Sequence, residues 1–248
     1  MNKILEIVNA STGYNHKPIL ENLNFTVREN DFIGVIGPNG GGKTTLLKLI
    51  LGLIQPFSGK VNFYANGRSK RSLIGYLPQE NKFDKQFPIS VLEVVLSGLM
   101  SDKGIFGRYS KKDKQLALSF LERTGMASYA NHPIGELSGG QQQKVFLSRA
   151  VVSSPKLLIL DEPSTYVDNQ FEGKLYEILN ELNKEMAIIL VSHDLGTISR
   201  YVKSIACVNR TLHYHPSNKI SQKQLTEYKC PLQIITHGDI PHTVLKNH

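Results

Sequence analysis

The run Gly37-Pro38-Asn39-Gly40-Gly41-Gly42-Lys43-Thr44-Thr45 contains the spacing G-x4-G-K-[ST], the pattern of a backbone cradle for a polyphosphate. Glycines let successive N–H groups turn inward around an anion, and a helix N-terminus at the same point adds partial positive charge. Lys43 supplies a mobile cation for β- and γ-phosphates, and the Thr44 hydroxyl is an oxygen ligand for Mg²⁺. A second run, Leu157-Leu158-Ile159-Leu160-Asp161-Glu162-Pro163, reads as an apolar strand ending in two carboxylates, with Pro163 stopping further pairing. Asp161 can hold Mg²⁺ through a water, and Glu162 can orient and deprotonate an attacking water. Alone, the two acids would be a surface pair at a turn. Beside a phosphate loop they point to nucleotide hydrolysis.

Such a loop needs a strand before it and a helix after it. The apolar run 32–36 and the helical pattern 43–51 supply them. Short apolar runs at 156–160, 187–191 and 204–208, separated by helical stretches such as 171–184, predict a parallel sheet covered on both faces. An Asn66-Gly67 turn is expected between two strand-like runs. Between Pro88 and Ser153 the periodicity is helical: Val91, Leu92, Val95, Leu96 and Leu99 share one face, and Leu116, Ala117, Phe120 and Leu121 another. The expected fold class is therefore α/β, interrupted by a helical insertion.

Composition sets outer limits. At 248 residues, 40% hydrophobic and 20% charged, with Gly 20 and Pro 11, the chain is neither collagen-like nor low-complexity. No apolar run approaches the roughly 18–20 residues of a spanning helix, and the start, Met1 to Glu6, lacks a signal-peptide core. A cytoplasmic location is expected. Two cysteines, Cys207 and Cys230, are too few for a disulfide framework. The net charge of +8 would suit nucleic acid, but no long basic block accompanies it, so solubility is the simpler reading.

Leu137-Ser138-Gly139-Gly140-Gln141 resembles the signature of ATP-binding-cassette (ABC) ATPases. Gln79 resembles that family's Q-loop glutamine, Asp168 its D-loop aspartate and His193 its switch histidine, while Tyr14 stands where the family places an aromatic under adenine. With the glycine loop and the acid-ended strand, these motifs run in the family's order over roughly residues 3–210. The resemblance implies a P-loop NTPase core with an antiparallel β subdomain and an inserted α-helical subdomain at about 80–153, all within an ATPase domain at 1–210. It implies ATP and Mg²⁺ as cofactors, with Thr44, Gln79 and Asp161 at the metal and Glu162, His193, Lys43 and Gln79 in catalysis. Ser138 can cap a helix running to about Ser153, with outward N–H groups forming a second anion site. In ABC proteins this signature covers the γ-phosphate held by the glycine loop of another copy, which implies a head-to-tail homodimer. Two departures stand out: Tyr166-Val167 where the D-loop commonly has a small residue, and Lys144 where arginine is frequent.

One cassette, a compact insertion and no spanning segment imply a transporter motor that borrows a separate membrane permease, docked in the groove beside Gln79 to about Met100. It would lie at the cytoplasmic face of the membrane, acting indirectly with an extracytoplasmic metal-binding protein. Five of the eight histidines, His213, His215, His237, His242 and His248, lie in the last 36 residues with Cys230, so a tail at 211–248 could ligate a transition metal through His213, His215, Cys230, His237 and His242. A polar, partly mobile tail whose histidines bind no metal is the alternative. The stretches Gly41 to Thr45 and Cys230 to His242 resemble ATPase subunits of zinc/manganese-type importers, which implies zinc, manganese or iron uptake. Other functional classes remain: a soluble ABC ATPase acting on nucleic acid or ribosomes, or a motor for a non-metal substrate.

Overall fold

A computed structural model of the chain describes residues 2–64, 73–79, 83–84, 87–100, 107–163, 169–193, 195–218, 232–237 and 240–245. The chain divides into two units, Met1–Asn66 with Ala187–His248, and Gly67–Met186. The expected turn at Asn66-Gly67 lies outside the described residues, as does Asp168.

In the first unit, β1 (Lys3–Tyr14) and β2 (Lys17–Arg28) form an antiparallel hairpin around Asn15 and His16, whose φ angles are 49° and 58°. Two consecutive left-handed residues make the tight turn whose twist matches a strand pair. β4 (Ser58–Phe63) pairs antiparallel along the other side of β1. β3 (Phe32–Ile36), buried at every position, runs parallel to β7 (Ala187–Val191) and β8 (Ser204–Asn209). Its unbroken apolar sequence is what a strand covered on both faces requires. α1 (Lys43–Leu51) follows the glycine loop. β9 (Thr211–His215) returns antiparallel on β8, so the boundary expected at residue 210 passes through a hairpin. β10 (Leu232–His237) and β11 (Ile240–Leu245) pair antiparallel with each other.

In the second unit, β5 (Ile74–Leu77) runs parallel to β6 (Leu157–Asp161). The helices are α2 (Val91–Leu96), α3 (Lys111–Arg123), α4 (Gly139–Val151) and α5 (Asn169–Leu182). The first three pack on one another, and α4 also packs on β5, so the unit extends beyond the insertion expected at 80–153. Each of the three starts with a capping box, Ser90 with Glu93, Ser110 with Asp113 and Ser138 with Gln141, satisfying donors that a helix start leaves unpaired. A buried hydroxyl pair, Thr124 to Ser148 at 2.9 Å, links the end of α3 to α4. Among the described residues, no helix is long and apolar enough to cross a membrane.

Candidate functional site

The glycine loop is fastened at both ends. The Gly41 N–H donates to the Pro38 carbonyl at 3.1 Å, and the Gly41 carbonyl accepts from the Arg210 N–H, also at 3.1 Å. A Cβ on Gly37 would lie 2.0 Å from the Val208 carbonyl oxygen. Gly42 combines φ 104° with a Cβ position 2.5 Å from Leu20 Cδ2, so a side chain at Gly37 would displace backbone and one at Gly42 would be strained in φ and crowd the Leu20 side chain. Lys43 Nζ donates to the carbonyls of Gly37 at 2.8 Å and Pro38 at 3.0 Å, which sets its charge across the turn. Asn39, Gly40 and Thr44 are exposed, Pro38 is partly so, and Thr45 is buried. In the same unit, Tyr14 at the end of β1 is exposed, with Lys48 Nζ 5.3 Å from its ring centroid. A flat aromatic face with a cation beside it suits a purine. His193 stands exposed two residues beyond β7.

In the second unit, β6 carries the carboxylates. Asp161, its last residue, is buried, and Glu162 follows at φ 49° in the left-handed region before the buried Pro163. Gln79, just past β5, donates from Nε2 to Glu162 Oε2 at 2.8 Å. Sequence separates the two by 83 positions; the parallel pairing of β5 with β6 brings them together. Tyr76 on β5 has its phenol pushed up to about 12, first by burial and then by the negative charge of Asp161. Gln79 and Asp161 here offer amide and carboxylate oxygens, and Thr44 in the first unit a hydroxyl, each by its own chemistry the kind of hard donor that Mg²⁺ takes and zinc favours less.

The capping box explains the signature residues locally. Ser138 Oγ accepts from the Gln141 N–H at 3.3 Å, while Gln141 Oε1 accepts from the Ser138 N–H at 2.9 Å. Gly139 is exposed and Gly140 half-buried, and as the first two residues of α4 their N–H groups have no intrahelical acceptor. Gln142 fixes the preceding turn by donating to the Leu137 carbonyl at 2.9 Å and the Ile134 carbonyl at 3.3 Å. Gln143 is buried and donates from Nε2 to the Pro163 carbonyl.

An apolar groove of about 650 Å³ opens in the same unit, lined among others by Phe83, Phe87, Ile89, Val94 and Phe146, with Asp84 and Arg149 as its charged members. Six of its lining residues fall between Gln79 and Met100, and Ile134, Phe146 and Arg149 come from later in the chain. The Phe83 and Phe146 rings are 5.7 Å apart, and Arg149 Nε donates to Ser97 Oγ at 2.9 Å.

Of the histidines at the C-terminal end, His213 and His215 lie on β9, His237 on β10 and His242 on β11. His213 sits opposite Cys207 in the β8–β9 ladder and its Nε2 lies 3.2 Å from Thr211 Oγ1. His215 is buried, and burial first, then the charge of His213, makes it harder to protonate. In the hairpin, His237 pairs with Ile240 and His242 with Ile235; Cys230 lies outside the described residues. Among the described residues no group of three or more His, Cys, Asp or Glu could hold a metal.

Neither Gln143 nor Arg149 stands in a motif legible from sequence. A signal existed for the first: Gln143, Leu147, Ala150 and Val151 fall on one helical stripe, where a polar residue is out of place.

The family model described as ABC transporter matches residues 20–165. The zinc uptake system ATP-binding protein ZurA of Listeria innocua is 42% identical over 233 residues, covering 92% of this chain and 91% of that protein. The manganese transport system ATP-binding protein MntB of Bacillus subtilis is 38% identical over 219 residues, covering 87% and 88%. A solved metal-chelate type ABC transporter in an inward-facing conformation superposes with a TM-score of 0.82 at 28% identity, covering 98% of this chain and 96% of that one.

Proposed function

The chain belongs to the ATP-binding proteins of ABC transporters, and from that premise we propose that it hydrolyses ATP to drive uptake of zinc, manganese or a related transition-metal ion through a separate membrane permease. The carrying observation is that relatives of both metal systems match about nine-tenths of the chain at about 40% identity.

In this reading the glycine loop, residues 37–45, wraps the phosphates with its N–H groups, Lys43 neutralises the β- and γ-phosphates, and Tyr14 stacks on adenine. Mg²⁺ bound with the nucleotide would offset phosphate charge, held by Thr44, Gln79 and Asp161. Glu162 takes a proton from the attacking water, and His193 donates toward the γ-phosphate. The hydrogen bond from Gln79 to Glu162 supports this assignment, since it holds the carboxylate in place before any water arrives. Ser138, Gly139, Gly140 and Gln141 of a second copy close over the γ-phosphate, with Asp168 at the seam, so ATP joins two copies and hydrolysis releases them.

The apolar groove is the docking place for a cytoplasmic helix of the permease, which puts the chain at the inner face of the membrane. An extracytoplasmic metal-binding protein feeds the permease without touching this chain. No observation favours nucleic acid as a partner.

The test is metal accumulation under chelation in cells lacking the chain. Wild type is expected to restore zinc or manganese uptake and Glu162→Gln to fail, with purified Glu162→Gln hydrolysing ATP at least about 10²-fold more slowly while still binding it. Restoration of uptake by Glu162→Gln, or uptake of neither metal with wild type, would overturn the reading.

A further inference from the structure

Gln143 is the polar member of the buried stripe of α4, which continues through Leu147, Ala150 and Val151. An amide there is costly unless hydrogen-bonded. Its Nε2 donates to the Pro163 carbonyl, while Oε1 is buried with no hydrogen-bond partner among the described residues. Exchanging the two ends of the amide would set oxygen against oxygen, so the carbonyl fixes which end faces it.

That carbonyl belongs to the turn bearing Glu162. Proline favours extended backbone in the residue before it, yet Glu162 stands at φ 49°, where side chains other than glycine are seldom found. Such a conformation persists only where its surroundings impose it. On one side Asp161 is anchored as the last residue of β6. On the other, Pro163 has no N–H to offer, and its carbonyl is held by Gln143.

We propose that Gln143 is a positioning residue for ATP hydrolysis, acting through the Pro163 carbonyl to hold Glu162 in its left-handed turn and to tie that turn to the helix capped by Ser138. The inference deepens the reading of Glu162 as the base and rests on it. Movement of α4 is thereby transmitted to the carboxylate through one hydrogen bond. Gln79 acts on the side chain of Glu162, Gln143 on the backbone beyond it.

The test uses the full chain with Mg-ATP in single-turnover and steady-state hydrolysis. Gln143→Met keeps length and loses the donor; Gln143→Glu keeps shape and, as the carboxylate, sets an acceptor against an acceptor, so its rates are read at alkaline pH where it is ionised. Both are expected to lower kcat about tenfold, with KM for ATP changed less than about twofold. Added to Glu162→Gln, neither is expected to lower the residual rate more than about twofold, because the group being positioned is already gone. Unchanged kcat in the single variants, or the same tenfold loss on top of Glu162→Gln, would overturn the proposal. Should Gln143→Met not fold, Gln143→Glu decides by the same measurements. Undiminished turnover in Glu162→Gln alone would instead remove the base assignment itself.

Discussion

Phe87 offers the sharpest test of the groove, because the residue is 60% exposed while lining an apolar depression. A phenylalanine side chain presents roughly 150–250 Å², so about 120 Å² remains for a docked helix to cover. At about 25 cal/mol per Å² that burial contributes about 3 kcal/mol to docking. Phe87→Ala retains part of this through its Cβ and is expected to lose about 2 kcal/mol, a weakening of Kd of about thirtyfold. The assay is titration of the full chain onto its permease in nanodiscs. Leu53→Ala is the control: Leu53 is 68% exposed, more than Phe87, but lies in the other unit and outside the groove. Its Kd is expected to match wild type. Equal affinities for Phe87→Ala and wild type, or equal weakening by both variants, would refute the assignment of the groove.

Tyr14→Ala should raise the Kd for ATP about tenfold, since stacking on a base is worth roughly 1–3 kcal/mol, and Tyr14→Phe should not; fluorescent-nucleotide titration reads both. His215 supplies a pH dependence. Its folded protonation is disfavoured by burial and by His213, so the unfolded chain takes up the proton first. Stability is full above the ordinary histidine value and falls as pH drops through the lower folded value. Thermal melts from pH 8 to 5 should show that acid limb in wild type and a flatter one in His215→Gln; parallel curves would discard it.

Much of the architecture follows from local pattern. The apolar run at 32–36 and the helix at 43–51 form over those same residues because both are bounded by the glycine loop, whose chemistry is legible in one line of sequence. The strand that ends in Asp161, just before Glu162, is equally plain, shifted by one residue from 156–160. What sequence concealed is long-range. The hydrogen bond of Gln79 to Glu162 depends on two strands pairing in register, and the left-handed φ of Glu162 contradicts what a residue before proline ordinarily does. Gln143 hid among three consecutive glutamines, two exposed enough to serve caps and loops and one turned inward. At the histidine-rich end the strand pairing was equally hidden: β9 returns along β8, and β10 and β11 pair with each other.

The strand that carries the phosphate loop is flanked on both sides by neighbours made about 150 residues later. During synthesis at roughly 5–20 residues per second, β3 therefore waits about 8–30 s for β7 and β8 to leave the ribosome. The other unit, contiguous from Gly67 to Met186, emerges whole in the meantime. Until its last quarter is made, the nascent chain therefore carries this apolar strand without either of the two neighbours that flank it in the fold.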